Sequence, residues 1–147
     1  MSDVVKVEIK IPKPPQAVWD VALDPHRLAD WVSIHRKLHS APTRPLKKGD
    51  KIVQTLVLRG APFKVTWKVE ALEEPHMAVW VGKGPAGSIA RTEYRLTPSG
   101  KGTLFSYSNE FSPPGGPIGR IAAKALVGDI PVKEAEASLD QLKDLLS

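Results

Sequence analysis

The chain has 147 residues, no cysteine and a formal net charge of +5, from 21 Lys and Arg against 16 Asp and Glu. This length fits a single domain over residues 1–147, and the lack of cysteine excludes disulfides, thiolate metal sites and cysteine nucleophiles. No apolar run approaches the ~20 residues of a membrane span, and the charged N-terminus is unlike a signal peptide. We therefore expect a cytoplasmic protein with no stable membrane insertion.

The net charge is concentrated in one segment. Six basic residues and one acidic residue lie between Arg36 and Lys51, and the other 15 basic and 15 acidic residues cancel. We interpret this Pro-containing stretch as a solvated loop. A nucleic-acid-binding face would instead carry its charge along a helix or a broad surface, so we expect no nucleic-acid partner. The loop could still steer an acidic ligand, a lipid headgroup or a membrane surface.

The first half of the chain predicts one strand and two short helices. Val4–Ile11 alternates apolar and polar residues, as a half-buried strand does. A short helix is predicted from Pro14 or Pro15 to Leu23, and a second, capped by Asp24, runs to about Trp31. After the basic stretch the pattern predicts five strands, with Pro98–Gly102 as a hairpin loop. These strands are Ile52–Leu58, Phe63–Val69, Met77–Val81, Ile89–Leu96 and Thr103–Phe111.

The C-terminal part predicts a long helix from about Ile118, with Gly128 and Pro131 interrupting its apolar stripe. Proline lacks the amide hydrogen and clashes with the preceding turn, so we expect a kink or break near Asp129–Ile130. Strands and helices are segregated, which indicates an α+β fold: a curved antiparallel sheet of about six strands around a long C-terminal helix. The space between sheet and helix is where a small-molecule pocket is expected.

Several segments carry a family resemblance. Ile11-Pro12 is followed by Val18-Trp19, Asp24 and Trp31, then by the Lys48-Gly49-Asp50 turn, with lysine in place of the usual proline. The stretch RTEYRLTPSGKGTLFSYSNEF and the terminal LDQLKDLL continue the match. The chain resembles the START and birch-pollen-allergen-like helix-grip superfamily, in its bacterial polyketide cyclase/dehydrase and lipid transport (SRPBCC) branch. An uninterrupted C-terminal helix is usual there, so Gly128 and Pro131 are a departure.

The resemblance implies binding or transport of a hydrophobic small molecule, such as a lipid, a polyketide or an isoprenoid-like compound. The same fold serves several functions, so two alternatives stay open: a polyketide cyclase or dehydratase, and a protein-interaction module like a chaperone activator. A homodimer is also left open.

Candidate ligand-binding residues are polar side chains that fall on the same side of a predicted strand as its apolar residues, together with nearby aromatic residues. Inward polar atoms must be hydrogen-bonded, and a few of them among aromatic rings are typical of a small-molecule site. A filled core with satisfied hydroxyl groups would give the same pattern. The candidates are Trp31, Thr55, Phe63, Trp67, Thr92, Tyr94, Phe105, Tyr107, Asn109 and Leu126.

No catalytic motif is found. The sequence lacks a nucleophile elbow, a P-loop and a dinucleotide fingerprint, so we assign no catalytic residue and no cofactor, and lean against an enzyme. His35 and His39 have helical spacing and could pair with His26 at a metal, but their basic surroundings disfavour a cation. We therefore predict no metal site.

Overall fold

The computed structural model describes residues 3–58, 61–84, 87–112 and 130–147. A 3-10 turn at Pro25–Arg27 separates the first two helices. The described elements are β1 (Asp3–Ile11), α1 (Pro15–Ala22), α2 (Leu28–Trp31), β2 (His35–Ser40), β3 (Lys51–Leu58), β4 (Ala61–Glu73), β5 (Met77–Lys83), β6 (Ile89–Ser99), β7 (Gly102–Ser112) and α3 (Ile130–Leu145).

The seven described strands form one antiparallel sheet in the order β1-β7-β6-β5-β4-β3-β2. The chain leaves β1, crosses through α1 and α2 to the opposite edge, and then meanders back strand by strand until β7 pairs with β1. The predicted α+β class, with a curved antiparallel sheet and a C-terminal helix, is confirmed.

The edge strand β2 is a correction to the predicted basic loop. It occupies His35–Ser40, so part of the segment from Arg36 to Lys51 is paired with β3. Register shifts fall between His35 and Lys37 and between Leu38 and Ser40. Each bulge breaks the two-residue side-chain period. The strand therefore lacks the alternation by which it could have been predicted.

One face of the sheet, which we call the inner face, carries the buried residues Ile11, Val69 and Phe105. A bulge in β4 between Val69 and Ala71 increases the local twist. Helix α3 packs against β1 and α2, and its Leu139 and Leu142 join the same core cluster. The inner face is thus closed by helices at the end of the sheet where β1 terminates.

The turns follow the predicted chemistry. Gly49 has a φ of 93° in the Lys48-Gly49-Asp50 turn, and Gly100 has a φ of 60° in the tight β6–β7 hairpin. Both lie in the left-handed region that glycine adopts without a Cβ clash. Asp24 accepts a hydrogen bond from the backbone N–H of His26 (2.9 Å), so it caps the 3-10 turn Pro25–Arg27 that precedes α2 and not, as the sequence had predicted, α2 itself.

The described part of helix α3 runs from Ile130 to Leu145 and includes Pro131. The predicted beginning of the long helix near Ile118, Gly128 and the candidate Leu126 lie outside the described residues.

Candidate functional site

Two adjacent rows of residues cross the centre of the inner face. In one row Tyr107 of β7 pairs with Tyr94 of β6. In the next row Asn109 pairs with Thr92, which pairs in turn with Trp80 of β5. Directly opposed residues in an antiparallel sheet have Cβ atoms about 5 Å apart. The sheet register therefore brings four of the predicted polar residues together with a tryptophan that the sequence did not single out.

Tyr94 is the centre of an aromatic cluster. Its ring centroid lies 5.3 Å from that of Phe105 and 5.9 Å from that of Tyr107. Trp31, at the end of α2, meets Tyr94 edge-on at 6.1 Å, and Trp80 meets it edge-on at 6.3 Å. Edge-to-face contacts at these distances are the arrangement that ring quadrupoles favour. The candidates Trp31, Tyr94, Phe105 and Tyr107 thus form one contiguous group.

The two phenols in this cluster are held in the neutral form. Asn109 Nδ2 donates to the Tyr107 hydroxyl oxygen (3.1 Å), and Tyr107 is also hydrogen-bonded to Thr92. Burial raises the pKa of Tyr94, with a smaller contribution from Tyr107, and burial also raises the pKa of Tyr107. A tyrosinate base is therefore disfavoured here, because the buried site destabilises the charged form.

Three buried side-chain atoms around the cluster have no hydrogen-bond partner among the described residues: Trp31 Nε1, Trp80 Nε1 and Asn109 Oδ1. Leaving a buried donor or acceptor unsatisfied costs about 1–3 kcal/mol. Native structures satisfy the great majority of such groups, if necessary with ordered water or a ligand. Two indole donors and one amide acceptor are therefore available to a molecule that enters this region.

The inner face is filled at one end and more open at the other. Near the end of β1, Ile11, Leu96 and Phe105 are between 0% and 2% exposed. Farther along the same face, several side chains stay half-buried although they share the inward parity. These are Leu56, Phe63, Trp67, Ala90, Tyr107 and Asn109.

A hydrogen-bonded chain of three side chains runs across β4, β3 and β2 on the inner face. Trp67 Nε1 donates to Gln54 Oε1 (2.9 Å), and Gln54 Nε2 lies 2.7 Å from His35 Nδ1. Gln54 is 4% exposed, and burial lowers the pKa of His35. Gly82 makes room for this chain, since a Cβ there would lie 2.7 Å from Trp67 Cε3.

The other two candidate metal ligands bind elsewhere. His26 Nε2 lies 2.9 Å from the carbonyl oxygen of Pro42, and His39 Nε2 lies 2.7 Å from Thr55 Oγ1. Within the described ranges, no group of three metal-ligating side chains converges. Among the described helices, none combines the length and apolar character that crossing a bilayer requires.

Two of the hollows lined by described residues open on the surface, away from the aromatic cluster. One of about 490 Å³ includes Lys10, Lys101 and Lys143 in its lining. The other, of about 350 Å³, lies between the end of α1 and the segment Pro42–Leu46.

In the basic stretch, Arg44 forms a two-point ion pair with Asp50, at 2.8 and 2.9 Å. The single acid of that stretch is therefore already neutralised.

The polyketide cyclase/dehydrase and lipid transport family matches residues 2–147. The chain belongs to this family. Its solved structural neighbours include the Zhui aromatase/cyclase from Streptomyces sp. R1128, with a TM-score of 0.81 at 15% identity, covering 99% of this chain and 94% of that one. The protein TTHA0849 from Thermus thermophilus gives a TM-score of 0.79 at 19% identity, and the match covers 97% of this chain and 95% of that one.

Two relatives of the chain come from Mycobacterium tuberculosis H37Rv. The protein named Toxin Rv0910 is 29% identical over 124 residues, which cover 83% of this chain and 86% of that protein. The uncharacterized protein Rv1546 is 29% identical over 143 residues, which cover 96% of both chains.

The sheet register also shows that one candidate, Thr55, does not face inward as predicted. Thr55 alternates with the buried Ile52 and Gln54 and lies on the outer face, opposite Lys64. Strand β3 is apolar on both parities, so its periodicity did not show which side faces inward. Gln54 is the inward polar residue of this strand.

Three residues of the site were missed: Gln54, Trp80 and His35. Trp80 pairs with Thr92, which had been singled out, so the cross-strand register would have found it. For His35 the sequence carries no comparable signal, because its inward position depends on the bulged edge strand.

Proposed function

We propose that this protein binds a hydrophobic small molecule, such as a lipid, a polyketide or an isoprenoid-like compound, on the inner face beside Tyr94. The observation that carries the proposal is the set of three unpartnered polar atoms, Trp31 Nε1, Trp80 Nε1 and Asn109 Oδ1, around one aromatic cluster in the described part of the chain. A bound molecule would gain about 25 cal/mol per Å² of apolar area it removes from water. One polar end could be held by these atoms.

Family membership supports the same proposal, and so does the difference in side-chain exposure between the two ends of the inner face. The family description names lipid transport together with polyketide chemistry. The half-buried side chains of Ala90, Tyr107 and Asn109 leave apolar surface on a face that is otherwise core. A solid interior would have buried them as fully as Phe105.

The protonation states of the tyrosines and the histidine at this site favour ligand binding or transport over catalysis. A cyclase or dehydratase needs a group that takes up a proton during turnover. The raised pKa values of Tyr94 and Tyr107 keep both phenols protonated. His35 Nδ1 is occupied by Gln54, so this imidazole does not offer that nitrogen as a base.

The test is a fluorescence titration with phenylnaphthylamine (NPN), an uncharged aromatic probe, together with native mass spectrometry of the freshly purified protein. We expect saturable binding. Ala90→Phe, which adds a ring on the half-buried inner face, should weaken NPN binding at least about tenfold by occupying the ligand's volume. Arg91→Phe adds the same ring one residue away on the exposed outer face and serves as the matched control. Equal effects of the two variants, or no saturable binding by the wild type, would refute the proposal.

A further inference from the structure

His35 is held in one position at the start of the edge strand. Its backbone N–H donates to the carbonyl of Val32 (3.1 Å), and the neighbouring carbonyl of Ile34 accepts from the N–H of Val57 (2.8 Å). Just before it, the N–H of Ser33 donates to Ser138 Oγ of α3 (2.9 Å). These bonds tie the segment to both β3 and α3, so the imidazole is presented from a fixed backbone.

The three-residue chain also fixes which nitrogen of His35 carries hydrogen. The indole of Trp67 is only a donor, so the group of Gln54 that faces it at 2.9 Å is the carbonyl oxygen. The amide nitrogen of Gln54 is then directed at His35 Nδ1, which accepts at 2.7 Å. A neutral imidazole whose Nδ1 accepts carries its hydrogen on Nε2. Burial, which lowers the pKa of His35, favours the same neutral form.

The Nε2–H group of His35 has no partner in the part of the chain that the structure describes, because its one hydrogen bond is the contact with Gln54. It is also accessible. Among the described residues, the side-chain polar atoms that are both buried and unpartnered belong to Trp31, Trp80 and Asn109. His35 Nε2 is unpartnered but not one of them, so it is in contact with solvent. A donor of fixed direction therefore stands at the open edge of the inner face.

The surrounding charge indicates what this donor would meet. Arg36 and Lys37 follow His35 on the same strand and are exposed, and the one acid of the basic stretch, Asp50, is bound by Arg44. Hydrogen bonds to ionised acceptors are about twice as strong as neutral ones. Glu134 of α3 also lies beside this segment, where its carboxylate accepts from Ser33 Oγ. The two positive charges of Arg36 and Lys37 still outnumber this one negative charge, which favours an anionic oxygen over a neutral one.

We propose that His35 is a ligand-binding residue whose Nε2–H donates to an acidic oxygen, such as a carboxylate or sulfonate, on the polar end of a hydrophobic ligand. This rests on the proposed function and names the ligand class: amphipathic aromatic or aliphatic acids. Gln54 and Trp67 act as positioning residues, because they hold the imidazole in the tautomer that donates outward.

The test compares two probes with closely related aromatic skeletons, anilinonaphthalene sulfonate (ANS), which is an anion, and the uncharged NPN. His35→Asn keeps an amide oxygen near the position of Nδ1 for Gln54 but removes the Nε2–H. It should weaken ANS binding about tenfold or more, which is the size of one charge-assisted hydrogen bond, and leave NPN binding within about twofold. His39→Asn is the matched control, since His39 lies on the same strand and bonds Thr55 on the outer face.

The outcomes separate the two proposals. If the wild type binds NPN but His35→Asn leaves ANS binding unchanged, or weakens both probes equally, the His35 assignment is overturned and the proposed function stands. If neither probe binds the wild type, both fail. Nitrogen NMR of the wild-type imidazole is independent of the variant's folding: ANS should shift the protonated Nε2 resonance while Nδ1 stays unprotonated. A protonated Nδ1 at neutral pH would contradict the assignment.

Discussion

Replacing Gly82 by alanine drives a methyl group into the indole of Trp67. The added Cβ would lie 2.7 Å from Trp67 Cε3, 2.8 Å from Cζ3 and 2.8 Å from Val65 Cγ1. Favourable carbon–carbon separations are about 3.5–4.0 Å. The side chains must therefore move by close to an ångström, in a region where Val65 is 8% exposed and has little space to yield.

The expected loss of stability is the sum of three effects. Overpacking a well-packed interior costs about 1–3 kcal/mol. Moving the indole also breaks its hydrogen bond to Gln54, and leaving that buried amide oxygen unpaired costs about 1–3 kcal/mol. Replacing a strand glycine returns about 0.5–1 kcal/mol of backbone entropy. Gly82→Ala should thus lower the free energy of unfolding by about 3 kcal/mol, within a range of about 1–5 kcal/mol.

Urea unfolding followed by tryptophan emission measures this change. A Trp67→Leu background removes the two clashing ring atoms, so the cost of Gly82→Ala should be smaller there by at least about 1 kcal/mol. Gly100→Ala is the backbone control: nothing lies within 4 Å of its Cβ, and its φ of 60° should cost about 1–2 kcal/mol without affecting Trp67. An equal cost of Gly82→Ala in both backgrounds, or a stabilised single variant, would refute the steric account.

Three further predictions concern stability. Burial lowers the pKa of His35 below its ordinary 6.5. The contribution of the neutral imidazole to stability is therefore complete above pH 6.5 and is lost as the pH falls through the pKa that His35 has in the folded protein. Unfolding free energies measured over a series of pH values should show this loss in the wild type and not in His35→Asn. The hydrogen bond from Arg44 holds the pKa of Asp50 below 3.8, so this carboxylate stabilises the fold above that pH and the stabilisation is lost in acid. Asp50→Asn should remove it, and an unfolding free energy that falls in acid by the same amount in the variant and the wild type would contradict this. Ser138→Ala removes the acceptor of the Ser33 N–H and should cost about 1 kcal/mol in urea unfolding, whereas the exposed Asp140→Ala should cost less than half of that.

The fold was largely predictable because local chemistry and global topology agree. Strands β1, β6 and β7 alternate in the sequence, and each has one face on the core. Proline and glycine mark the turns at the residues where the structure has them, as at Gly100. The family motifs supplied the arrangement of sheet and helix, which periodicity alone leaves undetermined.

What could not be predicted follows from two physical causes. Where both parities of a strand are apolar, as in β3, the inward side is decided by neighbouring strands, so Thr55 was chosen in place of Gln54. Where bulges interrupt the two-residue period, as in β2, the sequence pattern does not reveal the strand, and it indicates His35 only as a disfavoured metal ligand. Both errors fall at the same edge of the sheet, where the three-residue chain lies.

The central claim, that a hydrophobic molecule occupies the inner face, is tested most directly by NMR of the indole N–H groups during an NPN titration. The account predicts that the Trp31 and Trp80 Nε1–H resonances shift together and saturate with one probe per chain. The resonance of Trp19, which lines the separate surface hollow beside Pro42–Leu46, should stay in place. Shifts confined to Trp19, or no saturable change at Trp31 and Trp80, would contradict the claim.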